Sequence, residues 1–293
     1  MARPIDLISA AVTGLLLRLS LPTMPHMLYP SIILIMSKSG FKKNNFDLFY
    51  ELVRTDFVMR YHNSALGFVW VLLKPFLLYL IIMAVFSWLF GNHDPNYQLN
   101  LLLGLLLYNY FYESTLRGVT SLYDRSSVIL KVNFPKSVAV YTSVVNSLIS
   151  FLAGFVVFLI FWVWTKPLDS LVGLGYFGLQ VLILSGLILG LNFFTGIIYT
   201  RLKDFLSVWE VLLQVIFWST PIVYPASILP PAIRSLSLLN PLTIIVNQSR
   251  TAIVSGGDYH WNLTAYAAGI TLILLAAGRR FFSVQVKKIA ENF

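Results

Sequence analysis

Long stretches without a single charged residue constrain this chain more than any other feature. Residues 138–164 and 171–199 contain no Asp, Glu, Lys or Arg. A helix needs about 20 predominantly apolar residues to cross the hydrocarbon core of a bilayer, and both stretches exceed that length. Only 11% of all residues are charged, whereas a water-soluble domain carries roughly 25%. The chain is therefore predicted to be embedded in a membrane.

Four further apolar stretches complete a predicted set of six spans. The few charged residues inside them lie within a few helical turns of a predicted end. Helices satisfy their backbone hydrogen bonds internally, so they are the expected spanning elements in lipid. We therefore predict an all-α membrane protein with six transmembrane helices. The predicted spans are residues 71–90, 99–121, 138–164, 171–199, 205–224 and 261–278.

Basic residues are distributed unequally between the two sides of these spans. Eighteen of the 21 Lys and Arg residues fall on one side, and Lys166, Arg234 and Arg250 fall on the other. Loops rich in Lys and Arg remain in the cytoplasm. We therefore expect a multi-pass protein of the cytoplasmic (inner) membrane with both termini in the cytoplasm. The net charge of +9 is expected to contact anionic membrane lipids, and no nucleic-acid-binding motif competes with that interpretation.

The two ends of the chain are predicted to lie outside the spans. Residues 1–40 contain an apolar run that Asp6 and Arg18 interrupt and that three prolines follow. Two interpretations stay open for them, a flexible or amphipathic extension and an additional helix on the membrane surface. Residues 279–293 are predicted to form a cytoplasmic tail.

An amphipathic helix is predicted at residues 45–62, directly before the first span. Apolar residues recur there at helical spacing, charged residues fall on another face, and Asp56 with Arg60 forms an i,i+4 pair. Such a helix lies along the cytoplasmic surface of a membrane. A short soluble cap is the alternative.

Residues 225–246, between spans five and six, are too apolar for an ordinary loop. Prolines divide them into pieces that are too short to cross a bilayer. Such pieces enter one leaflet and return when protein or a water-filled cavity covers their backbone. We therefore predict a re-entrant helical hairpin on the external side.

Several kinds of chemistry are missing from the sequence. It contains no Gly-Lys pair, so a P-loop for ATP is excluded. It contains no cysteine, and its four histidines do not follow metal-ligand spacing, so neither a metal site nor a bound cofactor is expected. The acidic residues Glu113 and Glu210 lie near predicted span ends, which disfavours an ion-coupled carrier.

Four ordered motifs carry a resemblance to a known family. The run RTDFVMRYHNSALGFVWVLLKP, from Arg54 to Pro75, resembles the opening signature of polysaccharide-export permeases, the membrane subunits of type-2 ABC transporters. The resemblance covers about residues 45–285, and the first forty residues lie outside it. The further motifs are Asn133-Phe134-Pro135, Arg201-x-x-Asp204, and Ser219 to Pro225 with Leu229-Pro230, Asn240-Pro241-Leu242 and Arg250.

The resemblance implies one part of a larger transporter. The permease itself would bind no ATP, and ATP and Mg would be held by a separate ABC ATPase subunit present in two copies. A second copy of the permease would complete the transporter. Its cargo would be a polysaccharide linked to polyprenyl diphosphate, such as O-antigen or a teichoic-acid-like polymer, moved across the cytoplasmic membrane.

The resemblance also implies roles for particular residues. The segments 45–62 and 122–137 would dock into the ATPase, with lipid-headgroup contact as the alternative for their charged residues. Residues expected at the ATPase-coupling interface are Arg54, Asp56, Arg60 and Arg125. Residues expected in the substrate path or gate are Tyr61, Trp70, Arg201 and Lys203, the last two as contacts of the diphosphate. Residues expected in the re-entrant hairpin are Pro221, Tyr224, Pro225, Asn240 and Pro241.

Other function classes stay open from the sequence. A membrane-embedded glycosyltransferase or acyltransferase acting on polyprenyl lipids would need acidic or histidine groups at one membrane face. Its external candidates are Asp94, Asp169, Asp258 and His260. A permease of an ABC drug or ion exporter is a further alternative. The sequence does not identify the glycan or the aromatic residues that would line its path.

Overall fold

A computed structural model describes residues 45–61, 67, 69–90, 96–126, 135–165 and 171–291. The predicted extension at residues 1–40 lies outside the described residues. The same holds for half of the predicted coupling segment at 122–137, of which residues 127–134 are not described. The side chains of Arg60 and Tyr61 are also outside the described part of the chain, although both belong to a described helix.

All regular secondary structure in the described ranges is helical, which confirms the predicted all-α class for this part of the chain. A short 3₁₀ turn occupies Ala226–Ile228, a π turn Thr251–Ser255 and a second 3₁₀ turn Val286–Glu291. The α-helices are α1 Asn45–Tyr61, α2 Val69–Phe90, α3 Tyr97–Asp124, α4 Ser137–Thr165, α5 Leu171–Arg201, α6 Phe205–Ser219, α7 Pro231–Ser237, α8 Pro241–Arg250 and α9 Trp261–Gln285.

Among the described residues, three helical segments are long and apolar enough to cross a membrane. They are Ser137–Val163, Gly173–Arg201 and Trp261–Lys288, which correspond to α4, α5 and α9. Helices α2 and α6 contain the shorter apolar segments Leu72–Trp88 and Phe205–Ser219. Helix α3 covers the remaining predicted span, and its polar residues lower its hydropathy. The described ranges therefore contain three candidate spans, and the full set of six stays a prediction.

Helix α3 forms the centre of the apolar core. It contacts α2, α4, α5, α6 and α8, so nearly every face of it is covered by protein. Leu101, Leu103 and Leu107 are each at most 1% exposed. Neighbouring helices therefore bury α3 over most of its length, and its exposed residues lie in its first and last turns.

Small residues bring α5 and α9 into backbone contact. A Cβ atom at Gly278 would lie 2.5 Å from the carbonyl oxygen of Gly190, and one at Gly190 would lie 2.9 Å from the backbone of Leu274. Helices in membranes pack closely where glycines allow their backbones to approach. These two helices therefore pack with their backbones in contact at Gly190 and Gly278.

Helix ends meet in two groups, which define two ends of the bundle. At one end, called the Arg125 end, Arg125 follows the last residue of α3 and donates to the carbonyl of Ala139 near the start of α4, at 3.3 Å. Lys136 donates to the carbonyl of Val286 after α9, at 3.3 Å. Arg201 at the end of α5 donates to Gln285 at 2.6 Å.

The opposite group, called the Arg250 end, joins the start of α3 to the end of α6. Arg250 donates to the carbonyls of Asn100 and Pro221 at 3.0 and 2.8 Å. At the end of α4, Trp162 donates its indole N–H to the carbonyl of Ile253 at 2.8 Å. Successive long helices thus run in alternating directions between the Arg125 end and the Arg250 end.

The segment predicted as a re-entrant hairpin contains two different helices. Helix α6 ends at Ser219, whereas the predicted span continued to residue 224; Pro221 accounts for the earlier end because it cannot continue a helical hydrogen-bond ladder. Helix α7 is exposed along its length from residues 231 to 236. Helix α8 is buried, with Ile244, Ile245 and Val246 at 0% exposure.

Candidate functional site

An ion pair between Asp56 and Arg125 ties α1 to the bundle at the Arg125 end. The Nη2 group of Arg125 donates to Oδ2 of Asp56, and the two side chains are only 7% and 14% exposed. Asp56 lies in the middle of α1, and Arg125 directly follows α3. The structure therefore pairs two of the residues that the sequence assigned to a partner interface.

Further polar contacts surround this pair. Arg125 also donates to the carbonyls of Ser121 and Ala139 at 3.0 and 3.3 Å, and Asn146 donates to Asp56 at 3.4 Å. Within the described part of the chain, Nε of Arg125 and Oδ1 of Asn146 are buried without a hydrogen-bond partner. The network joins α1, α3 and α4 through one carboxylate and one guanidinium.

Helix α1 has two distinct faces. Leu52 is 2% exposed, and Asp56, one turn later, reaches Arg125. Tyr50, Arg54 and Val58 follow each other at one-turn spacing, and all three are exposed. Arg54 therefore lies on the outer face of α1, away from its predicted companions Asp56 and Arg125.

Lys203 and Arg201 lie close together at the Arg125 end, in and after the last turn of α5. The ammonium group of Lys203 lies 3.2 Å from the ring centre of Tyr123 and 4.9 Å from that of Tyr199. Desolvation beside these rings lowers the pKa of Lys203, and the nearby Asp124 opposes that shift. Desolvation raises the pKa of the Asp124 carboxyl group, although part of this residue is exposed to solvent. Both Arg201 and Lys203 are exposed to solvent.

Of the two aromatic residues assigned to a substrate path, Trp70 has a described side chain and Tyr61 does not. Trp70 lies at the start of α2 and is 38% exposed. Tyr61 ends α1, and its side chain is outside the described residues. Their assignment to a path stays a prediction.

The residues assigned to the hairpin form a compact corner at the Arg250 end. Pro221 is buried, and Asn240 caps α8 by accepting the N–H of Leu242 at 3.0 Å. Asn240 also donates to the hydroxyl of Thr220 at 3.2 Å, while Pro241 occupies the first turn of α8. These contacts bring the end of α6 and the start of α8 together, as proline-rich and capping residues favour.

Tyr224 and Pro225 lie on the outer side of that corner. The Tyr224 hydroxyl donates to the carbonyl of Trp218 at 2.6 Å, which closes the chain back onto the last turn of α6. Pro225 precedes the 3₁₀ turn Ala226–Ile228. Both residues are half-buried, so they connect the buried corner to the exposed helix α7.

Arg250 is the main feature of this end to which the sequence assigned no role. Its guanidinium donates to three carbonyl oxygens, those of Asn100, Pro221 and Ile222, at 3.0, 2.8 and 2.7 Å. The signal in the sequence is an arginine at the end of the last family motif, on the side predicted to hold only three basic residues.

Helix α6 carries an exposed polar stripe. Ser207, Glu210, Gln214 and Trp218 recur at three- or four-residue spacing, so they share one face, and all four are exposed. Only Trp209 and Leu213 of this helix are buried. The described chain therefore leaves one side of α6 uncovered, with a carboxylate near its middle.

The alternative enzyme candidates are not assembled into one cluster in the described residues. Asp258 and His260 are exposed near the start of α9. Asp94 and Asp169 lie outside the described part of the chain. Among the residues searched, no three His, Asp or Glu side chains lie together in a way that could hold a metal ion.

Comparison with known proteins identifies the family. The sequence profile of the family described as ABC-2 type transporter matches residues 47–254, which is more than half of the chain and extends from α1 to the turn after α8. The chain belongs to the ABC-2 type transporter family. This confirms the family predicted from the motifs between Arg54 and Arg250.

Three curated relatives are similar to this chain over most of its length. The chain is 27% identical over 257 residues to the O-antigen export system permease protein RfbA of Myxococcus xanthus, covering 84% of this chain and 95% of that protein. It is 27% identical over 259 residues to the RfbA protein of Klebsiella pneumoniae, with the same two coverages. The polysialic acid transport protein KpsM of Escherichia coli is 23% identical over 252 residues, covering 83% of this chain and 95% of KpsM.

Membership in the ABC-2 type transporter family counts against the enzyme alternative that the sequence left open. The family consists of transporter permeases, so the chain is a membrane transport protein and not itself an enzyme. The glycosyltransferase or acyltransferase alternative is accordingly not favoured. The roles of the individual site residues stay predictions.

Proposed function

We propose that this chain is the membrane-spanning permease subunit of an ATP-driven exporter of lipid-linked polysaccharide. One observation carries the proposal: relatives named for O-antigen export and polysialic acid transport align with this chain over 95% of their own length. The cargo is a glycan on a polyprenyl diphosphate carrier, moved across the cytoplasmic membrane.

The proposed topology has six spans, formed by α2, α3, α4, α5, α6 and α9. Their alternating directions and the three apolar helices support this arrangement. The Arg125 end is cytoplasmic in this proposal, because Lys136, Arg201, Lys203 and the basic residues after α9 collect there. The Arg250 end is external, and the segment 225–246 forms the re-entrant hairpin that closes it.

ATP hydrolysis is proposed to occur in a separate ABC ATPase, present in two copies with its ATP and Mg. The sequence contains no P-loop, so the energy source lies elsewhere. The exposed face of α1, with Arg54 between Tyr50 and Val58, is the proposed docking surface; Arg60 extends the same helix. The Asp56–Arg125 pair then connects the docked helix rigidly to α3 and α4, which is the property that a coupling element needs.

A second copy of the chain is proposed to cover the polar stripe of α6. A charged side chain facing lipid costs up to roughly 3 kcal/mol within a span, so Glu210, in the second turn of α6, is expected to face protein or water. A symmetric pair of chains would place the stripes around a shared path. Tyr61 and Trp70 are proposed to contact the glycan along it, since aromatic faces suit sugar rings.

Arg201 and Lys203 are proposed to receive the diphosphate of the carrier. Both are exposed at the Arg125 end and lie two residues apart in the chain, with Arg201 bonded to Gln285 of α9 and Lys203 over the ring of Tyr123. Cationic side chains form strong, short hydrogen bonds to phosphate oxygens. The ammonium group of Lys203 lies over the ring of Tyr123 and near that of Tyr199, which favours one position for it.

Deletion of the gene in its native host tests the proposed function. Surface polysaccharide should disappear, its lipid-linked form should accumulate inside the cell, and affinity purification of the chain should recover an ATPase subunit. Complementation with the unchanged chain is the control. Normal surface polysaccharide in the deletion strain, or a functional transporter purified without any ATPase, would contradict the proposal.

A further inference from the structure

The turn after α6 needs hydrogen-bond donors from elsewhere in the protein. Thr220, Pro221, Ile222 and Val223 are all buried, and the helix ends before them, so a continuing helical turn does not satisfy the carbonyls of Pro221 and Ile222. Buried carbonyl groups without a donor cost free energy, most of all inside a membrane.

Arg250, at the end of α8, supplies these donors. Its Nη1 and Nη2 groups donate to Pro221 and Ile222 at 2.8 and 2.7 Å, while Nε donates to Asn100 on α3 at 3.0 Å. A guanidinium holds its N–H groups in a fixed planar arrangement, so it fixes the relative position of all its partners. A cation near the C-terminal end of α6 is also favourable for the helix dipole.

Helix α3 makes room for this guanidinium at Gly104. A Cβ atom there would lie 2.6 Å from Nη2 of Arg250 and 3.3 Å from a methyl group of Ile222. Any side chain at this position would displace the guanidinium from the turn. The site for Arg250 is therefore shaped by the backbone of α3 as well as by the three carbonyls.

Two more side chains hold the same four residues. Tyr97, at the start of α3, donates to the carbonyl of Val223 at 2.8 Å, and Asn240 donates to the hydroxyl of Thr220 at 3.2 Å. Arg250 is the member of this group that reaches both the turn and α3 with charge-assisted hydrogen bonds, which are about twice as strong as neutral ones.

We infer that Arg250 is a positioning residue that holds the turn at residues 220–223 against α3 and so keeps the Arg250 end of the permease closed. Release of its bonds to Pro221 and Ile222 frees the turn and the hairpin attached to it. That this end is the exit for the glycan, and is held closed, rests on the proposed function. The restraint that Arg250 places on the turn at residues 220–223, called the clamp, rests on the hydrogen bonds alone.

The absence of native cysteine allows a direct test. Val223 is 2% exposed, so Val223→Cys in the purified, full-length protein in lipid nanodiscs should react slowly with a membrane-impermeant maleimide. Adding Arg250→Gln should accelerate labelling by about tenfold, the factor expected when a charge-assisted hydrogen bond is lost. Gly104→Ala should accelerate it in the same direction, because the new methyl group displaces the guanidinium. Arg250→Lys, which keeps the charge without the planar fork, should fall between the parent and Arg250→Gln.

A second reporter separates release of the turn from general loosening of the fold. Ala267 on α9 is 0% exposed, and labelling of Ala267→Cys should stay unchanged in all three variants. Gly269→Ala is the control substitution, since a Cβ there meets nothing within 4 Å. An unchanged rate at Val223→Cys, or an equal rise at both reporters, would overturn the inference.

Export of the host polysaccharide is measured separately in the same variants. Faster labelling at Val223→Cys in the Arg250→Gln variant, together with no glycan export even by the unsubstituted parent chain, would support the clamp and count against the proposed function. Normal glycan export together with unchanged labelling at Val223→Cys would support the proposed function and overturn the clamp.

Discussion

Asp56 and Arg125 are charged residues held inside the protein. Removing one partner of a buried ion pair leaves the other charge uncompensated, which destabilises a fold by about 3 kcal/mol. Asp56 also accepts from Asn146, and Arg125 also donates to two carbonyls, so each side chain has polar partners besides the other. The pair is therefore expected to matter for how α1 is held as well as for stability.

Substitution of either partner tests this role. Asp56→Asn and Arg125→Gln should each lower the free energy of unfolding by about 3 kcal/mol, and the double variant should lose less than the sum. Thermal unfolding in detergent measures the effect. Both single variants should still bind the ATPase but should hydrolyse ATP without export.

The exposed Arg54 provides the matched control for that pair. Arg54→Gln should leave the free energy of unfolding within about 0.5 kcal/mol of the parent, because surface substitutions rarely do more. It should instead weaken ATPase binding. Fully additive losses in Asp56→Asn with Arg125→Gln would show that the two residues act independently.

The sequence singled out several charged residues but did not predict which of them contact one another. The family resemblance named Asp56 and Arg125 as interface residues, and Arg250 belonged to the last motif and to the three basic residues on the predicted external side. The pairing of Asp56 with Arg125 depends on how the helices pack, and no local pattern encodes a contact between residues so far apart in sequence. The three carbonyl partners of Arg250 are backbone atoms, which have no signature in side-chain chemistry.

At the scale of elements, the contact between α3 and α5 depends on one glycine. A Cβ atom at Gly118 would lie 2.0 Å from the side-chain carbon Cγ of Asn192. Asn192 is 0% exposed and donates to the carbonyl of Ser114 at 3.1 Å. The Asn192 side chain is fully buried and cannot move into solvent, so any atom added at Gly118 must be accommodated inside the bundle.

Gly118→Ala should therefore destabilise the protein by about 2 kcal/mol through overpacking. Adding Asn192→Ala removes the colliding side chain, so the double variant should lose less than the sum of the two single changes. Thermal unfolding in detergent measures both. Gly178→Ala on α5, where a Cβ meets nothing within 4 Å, is the control and should have little effect. Additive losses would contradict the proposed collision.

Helical elements were predictable where hydrophobicity alone decides them. The apolar stretches 138–164 and 171–199 coincide with α4 and α5, because their composition leaves no alternative to a helix in lipid. The structure of the segment 225–246 was harder to predict from the sequence. Its prolines predicted interruptions, but the burial of α8 and the exposure of α7 depend on neighbouring helices, which no local pattern specifies.

At the scale of the whole molecule, the polar face of α6 predicts how two chains meet. Gln214 lies on the exposed stripe with Ser207 and Glu210, and the second copy is proposed to cover it. A single cysteine, Gln214→Cys, should therefore form a disulfide between two chains in native membranes under mild oxidation. Non-reducing electrophoresis should show a product at about twice the 33.2 kDa of one chain.

Leu272→Cys is the matched control for the cross-link. Leu272 is 65% exposed on α9 and has only apolar neighbours along the exposed side of that helix, so it is expected to face lipid. It should give little cross-linked product. Equal cross-linking at both positions would argue against a specific interface at α6.

The burial of α8 sets an order for the biosynthesis of this protein. Its apolar residues, including Leu242 and Ile244, are covered by α3, α5 and α9. Helix α9 follows α8 in the chain, so a ribosome releases α8 before its last covering helix exists. Helix α8 is too short to leave the insertion machinery as a span of its own. Its docking therefore completes late, and a nascent chain stalled before Trp261 presents an uncovered apolar helix to the proteases that survey unfinished membrane proteins.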